Sequence, residues 1–325
     1  MCRYLTEITT TTASANGASN HVAPKKLSLR NRQEEQRMQS IILDSLTAIA
    51  VGYAFYKYPG YFNPWGLSLV QWMCGFVGMR SGIFSHDIMM SKLLVQVVWG
   101  GKEKLLPTRT TGKPVPYVPL DTKAVIFLVI NCFNEYVFLS RLTHFLWHSP
   151  DVPLRWEELN MLNSLGALVV ILVVFDLIFA PIHHILHLPW LYPLIHKHHH
   201  RQHFPVLGYW DAASVHVIEQ FMGLSATWGA ILVATHGPTG AHGIALFLFF
   251  NIHAVLNLLN HSRYDVEFDI IPGIMTYKAG NHEMHHRKFT VNYASYNHLY
   301  DHLMGTYAPY EGPSSAAGVE KKKES

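Results

Sequence analysis

Phe175 to His203 reads FDLIFAPIHHILHLPWLYPLIHKHHHRQH and carries His183, His184, His187, His196, His198, His199, His200 and His203. A second cluster follows at Asn281-His282-Glu283-Met284-His285-His286. Three spacings emerge: HxxxH at His183/His187, HxxHH at His196/His199/His200, and HxxHH at His282/His285/His286. On a helix, residues three and four apart share a face, so each group is expected to point its imidazoles one way. Neutral imidazole suits iron, zinc, copper and nickel, and an octahedral ion takes only about six ligands. The eight imidazoles of the three groups therefore suit two ions, each with an open position. One such pair alone reads most simply as a solvated basic face. Three in this order, with a membrane hairpin between the second and third, argue for a metal site.

The composition fits a membrane setting. The 325 residues are 49% hydrophobic and 14% charged, where soluble domains run nearer a quarter charged. Mean hydropathy is +0.11. A net charge of +3 gives no case for nucleic acid. Cys2, Cys74 and Cys132 form no CxxC, which argues against a zinc ribbon or disulfide scaffold. No GxGxxG precedes a helix, so no flavin or nicotinamide site is expected.

The chain divides by composition. Residues 1–40 read as a disordered, partly basic tail with no signal peptide, entering a helix near Glu34. Residues 41–160 read as an N-terminal transmembrane region with apolar segments at 41–58, 67–84 and 124–147. A polar, basic connection fills 85–123. Residues 161–310 hold the histidine groups, and 311–325 form a disordered tail. Further apolar segments fall at 160–180, 217–235 and 243–260; the 19 residues of 217–235 span about 28 Å as a helix. The last two run out and back, which returns the third group to the side of the first two. The expected class is all-α: an integral membrane bundle of about four to six transmembrane helices with a cytosolic histidine-rich cap. Lysine and arginine concentrate on the side of the histidines, and the positive-inside rule makes that side cytosolic.

HHILH, LYPLIHKHHH and NHEMHH, followed by NYASYNHLYDHLMGTY, resemble the fatty acid hydroxylase / sterol desaturase superfamily. The resemblance runs from about Asp176 to Tyr307. It implies a membrane-bound non-haem oxygenase with two iron ions, using O2 to act on an apolar lipid. It also implies cytochrome b5 and an NAD(P)H-dependent reductase as electron donors. Spacing alone leaves His198 as an alternative to a neighbour, and the family frame selects His196, His199 and His200. With His183, His187, His282, His285 and His286, these are the expected metal ligands; catalytic residues beyond the ligands are not implied. Family positions with an extra histidine align with His216 and His261, which stay open as ligands. Asp176 sits at the family's acidic offset, seven residues before His183 and on its helical face. It is expected in the second shell, where carboxylates orient ligating histidines, as is His203.

His184 points about 100° from His183 on a helix and is expected not to ligate. His253 is expected in core hydrogen bonding, and the pairs His144/His148 and His298/His302 at the surface. Ala180-Pro181 suggests a helix break just before His183. Lys322 and Lys323 resemble a dilysine retrieval signal, which places the protein in the endoplasmic reticulum membrane with cytosolic termini. The shared motifs fit a sterol-pathway substrate (C-4 methyl oxidation, C-5 desaturation or squalene epoxidation), with a fatty acid or acyl-lipid hydroxylase as the alternative. Readings from another class are a metal-ion transporter, which would place ligands near the bilayer midplane, and a non-catalytic membrane scaffold.

Overall fold

The computed structural model describes residues 29–102, 104–106, 117–271 and 275–311. Residues 1–28, Arg109, Lys113 and the tail with Lys322 and Lys323 lie outside the described residues. The elements run α1 (Leu29–Lys57), α2 (Pro59–Phe62), α3 (Leu69–Lys92), α4 (Thr122–His148), α5 (Ala167–Leu186), α6 (Tyr209–Ala212), α7 (Val217–His236), α8 (Gly243–Asn260), β1 (Glu267–Ile271), β2 (Met275–Lys278), α9 (Ala279–Lys288) and α10 (Leu299–Met304). α1 begins at Leu29, five residues before the helix start expected near Glu34.

Among the described residues, five segments are long and apolar enough to cross a membrane: Glu34–Lys57, Thr122–His148, Leu162–Leu186, Val217–His236 and Gly243–Asn260. Leu69–Gly78 is a shorter apolar stretch. Among the described residues the helical plan is joined by an antiparallel hairpin, β1–β2, with Glu267 opposite Lys278; an ion pair links those two side chains.

Three of the spans, α4, α7 and α8, begin where a polar side chain takes up a free helix N–H. Asp121 accepts from the Ala124 amide at 2.7 Å and starts α4. His216 accepts from Ile218 and starts α7; His242 accepts from Ile244 and starts α8. The core lies where α5 packs against α7 and α8, around the buried Ile171, Phe175, Ile231, Leu246 and Phe249. Ala226, Ala230 and Ala234 are buried on α7, and small residues let membrane helices approach closely. A Cβ at Gly229 of α7 would already meet Ile178 of α5 at 3.3 Å.

Pro181 does not break α5, which runs through to Leu186. Proline removes one intrahelical hydrogen bond; packing against α7 and α10 keeps the helix continuous. His183 therefore rides on the same rigid rod as the core residue Phe175. The C-terminus of α5, the N-terminus of α7 and the C-terminus of α8 then converge on one side. On the opposite side, the Gly243 amide donates to Pro153 at 3.0 Å and His242 Nε2 donates to the Arg155 carbonyl at 3.1 Å.

Candidate metal centre

Among the described residues, nine histidines meet on the side where α5, α7 and α8 converge, in two adjoining groups. His183, His187, His196, His200 and His285 form one; His199, His261, His282 and His286 form the other. Within each, the nearest ring nitrogens all lie within 4.8 Å of one another. The first group is supplied by α5, by the 3-10 turn His196–Arg201 and by α9. The second takes His261 from the end of α8, two histidines from α9 and one from the turn.

The HxxHH groups do not point one way. Each splits, with its first and last histidine in one group and its middle one in the other. His196 and His200 go with the first group and His199 with the second; His282 and His286 go with the second and His285 with the first. On the α-helix α9 the angles explain this: i and i+4 lie about 40° apart, whereas the adjacent i+3 and i+4 lie about 100° apart. In a 3-10 turn i and i+3 would eclipse, yet His199 turns away to approach His261 at 3.3 Å. Partners on α5 and α8, not local periodicity, decide the direction.

The tautomers show what the groups can hold. His183 Nδ1–H donates to the Tyr293 carbonyl at 2.7 Å and His285 Nδ1–H to Val291 at 2.7 Å. His286 Nδ1–H donates to Gln202 at 2.9 Å and His261 Nδ1–H to Asn257 at 2.8 Å. His196 Nδ1–H donates to the Glu219 carboxylate at 2.8 Å. A neutral ring that donates from Nδ1 has a lone pair on Nε2. Yet His183 Nε2 lies 3.0 Å from His196 Nε2, and neither has a proton to share. The Nε2 atoms of His196 and His200 also lie 2.9 Å apart, and those of His261 and His282 3.1 Å apart. Converging lone pairs call for a cation among them. Two nitrogens each about 2.1 Å from one ion and at right angles would sit about 3.0 Å apart. The donor set fits metal ions.

Burial reinforces the neutral form. Loss of hydration pulls His196, His199, His200, His282, His285 and His286 well below the ordinary histidine pKa, and neighbouring imidazoles add to the effect. His187 and His261 are lowered for the same leading reason. Neutral imidazole is the metal-binding form.

The other expected residues fall elsewhere. His216 lies outside both groups: its Nδ1 caps α7 and its Nε2 meets Asp44 at 2.9 Å, so both nitrogens are engaged. Asp176 is buried, but it accepts from the amides of Ser295, Tyr296 and Asn297 at 2.7–2.9 Å. It holds the loop before α10 and orients no ring of the two groups. His203 is exposed beside the Phe289 ring, outside the shell expected for it. His198 and His184 bond Ser214 and Tyr300. His298 is 5% exposed and meets Asp301 at 3.3 Å, which corrects its surface assignment. The orienting carboxylate that sequence reasoning missed is Glu219. An acid in an apolar span is a functional candidate by default, the signal that singled out Asp176. Glu283, inside the third motif, pairs with Arg287.

A cavity of about 410 Å³ opens beside the groups. His183 and His196 of the first group and His199, His261 and His282 of the second reach its wall, and Phe138, Phe175, Phe179, Leu224 and Phe250 line the part within the helices. An apolar cleft of this size with a few polar groups is typical of a small-molecule site.

Residues 168–306 match the family model described as fatty acid hydroxylase. The chain is similar to a cholesterol 25-hydroxylase-like protein of Danio rerio, 27% identical over 186 residues, which cover 55% of this chain and 70% of that protein. It is 29% identical over 198 residues to cholesterol 25-hydroxylase of Mus musculus, covering 58% and 62% of the two chains. It is 27% identical over 184 residues to methylsterol monooxygenase 1 of Rattus norvegicus, covering 55% and 60%. The match thus spans less than two thirds of the mouse and rat proteins. No solved structure matches the chain.

Proposed function

We propose that the protein, whose residues 168–306 match the fatty acid hydroxylase family model, is a membrane-bound di-iron oxygenase acting on a sterol-pathway lipid. The observation that carries this reading is the pairing of two imidazole groups with one apolar cavity. His183, His187, His196, His200 and His285 would hold one ion; His199, His261, His282 and His286 would hold the other. Bound iron would supply the redox chemistry: O2, two electrons and two protons convert a C–H bond to C–OH and release water.

The chain's own residues do the rest. Carbonyls of Gln202, Asn257, Val291 and Tyr293 and the Glu219 carboxylate fix ring tautomers so that Nε2 faces inward. Such outer partners raise ligand basicity. The phenylalanine walls exclude water and hold an apolar substrate so that one carbon faces the histidines. Cytochrome b5 and an NAD(P)H-dependent reductase are the proposed electron donors. The proposed site is the endoplasmic reticulum membrane with the histidines cytosolic, since the basic segments flank that side. The catalytic unit is proposed as residues 161–310.

A fatty acid or acyl-lipid hydroxylase is the second reading, favoured by the family description alone. A metal transporter would carry its ligands near mid-membrane, whereas these histidines gather at helix ends. The test is iron content and O2-dependent lipid product of the purified protein in bilayers, with lipid profiling of a deletion strain. Two irons per chain and an oxidised sterol support the reading; metal flux with no lipid product refutes it.

A further inference from the structure

One imidazole of the cavity wall belongs to neither metal group. His253 lies on α8 inside the apolar part of the cavity. Its Nδ1 meets the Tyr296 hydroxyl at 2.8 Å, and its ring stands edge-on to Phe175, centroids 4.7 Å apart at 78°. Tyr296 is itself fixed, because its amide donates to the buried Asp176 at 2.9 Å. The imidazole is thus clamped on one side, while among the described residues no protein group bonds its Nε2.

We propose that His253 Nε2 is the hydrogen-bonding point for a neutral lipid hydroxyl, held remote from the carbon that is oxidised. This rests on the oxygenase reading above.

Three observations carry it. First, either tautomer leaves Nε2 a polar atom in an apolar wall. It donates when Tyr296 gives its proton to Nδ1 and accepts when Nδ1–H donates to the phenol oxygen. A hydroxyl both donates and accepts, so it satisfies either state; a hydrocarbon satisfies neither. Second, no lysine or arginine lines the cavity among the described residues, while the Glu219 carboxyl does. An anionic head group would find no cation there. Third, two helices give the same depth. His253 precedes His261 by eight residues on α8, and Phe175 precedes His183 by eight on α5. Eight residues of helix rise about 12 Å. A hydroxyl on His253 therefore puts the oxidised carbon many bonds away. In a sterol that is the side-chain end, not the carbon beside the ring hydroxyl. Asp176, which orients no metal-facing ring, would act in this account as a positioning residue through Tyr296.

The test uses the full chain in phosphatidylcholine nanodiscs, with cholesterol and cholest-5-ene, which lacks only the hydroxyl, as probes. Wild type should bind cholesterol roughly 5- to 100-fold tighter, the span expected of one buried hydrogen bond. His253→Phe should erase that preference without changing iron content. His253→Gln, whose amide reaches the place of Nε2, should restore part of it. His253→Asn, which mimics Nδ1 and can only keep the Tyr296 contact, should not. Oxidised product should carry its new oxygen on the side chain. The proposal is overturned if His253→Phe keeps the preference, if Asn restores it and Gln does not, or if oxidation falls beside the hydroxyl. Binding is read without turnover, so the two readings separate. A preference erased by His253→Phe in a protein that oxidises no lipid would sink the oxygenase and leave this site standing. An active oxygenase indifferent to the hydroxyl would do the reverse.

Discussion

The spacing that puts His183 and His187 on one face of α5 recurs at His144 and His148 on α4, and the outcomes differ. The α4 pair stacks on itself, ring centroids 4.3 Å apart. His148 Nδ1–H donates to the His144 carbonyl at 3.0 Å, and both rings lean on Trp65. The α5 pair faces the 3-10 turn and α9, whose imidazoles meet it at 3.0 and 3.2 Å. Local periodicity aligns two side chains in both places. Only on α5 do other elements bring more imidazoles to the same point, and only there is an Nδ1 atom, that of His183, taken by a carbonyl from a distant loop. A histidine pair becomes a candidate metal site through its long-range partners.

The sharpest way to break this comparison is to remove one imidazole from each group. His285→Ala should empty the first group and His199→Ala the second, each lowering iron from two ions toward one and turnover by more than about 100-fold, above the usual loss for an outer partner. His144→Ala should leave both unchanged. Metal analysis beside a lipid-product assay reads the difference.

Next in size is Asp176→Asn. Its carboxylate accepts three backbone amides, and a buried N–H left without an acceptor costs about 1–3 kcal/mol. A fall in thermal midpoint with iron still bound is expected; loss of iron with unchanged stability would restore the outer-shell role that the sequence suggested. Glu219→Gln should behave oppositely, losing about 10- to 100-fold in metal affinity or activity with little change in midpoint.

Acid sharpens the comparison further. Burial holds His196, His199 and His285 well below the ordinary histidine pKa. The unfolded chain then binds more protons below about pH 6.5, so stability is fully present above that pH and is lost as pH falls. The midpoint of the metal-free protein, followed from about pH 8 down to about pH 5, should fall only below about 6.5. The smallest contrast lies in the third pair. His298→Ala should cost about 1 kcal/mol through Asp301, which also holds the Tyr293 and Ala294 amides; His302→Ala should be close to neutral.

Much of this was legible in the chain. The out-and-back spans expected at 217–235 and 243–260 form as Val217–His236 and Gly243–Asn260, because apolar length and a Gly-Pro turn are local properties. The eight motif histidines converge because the out-and-back pair α7–α8 returns the chain to the side where α5 ends. What stayed hidden depends on chain segments far apart. The seven-residue offset put Asp176 on the face of His183, but a face does not say who occupies it. Residues 295–297 return from beyond α9 and take its oxygens. His216 looked open until α1 brought Asp44 to its second nitrogen. His298 looked exposed because Asp301 and the Tyr307 ring that meet it come from the short α10 and the segment after it, too brief to show a periodicity. Glu219 was readable as an acid in a span, but its partner His196 lies 23 residues away.

The central claim is that two adjacent residues, His199 and His200, serve different metal ions. Mössbauer spectra of the protein loaded with isotopically enriched iron test it most directly. Wild type should show two irons; His199→Ala should disturb one and His200→Ala the other. A single iron per chain, or the same iron disturbed by both substitutions, would contradict the account.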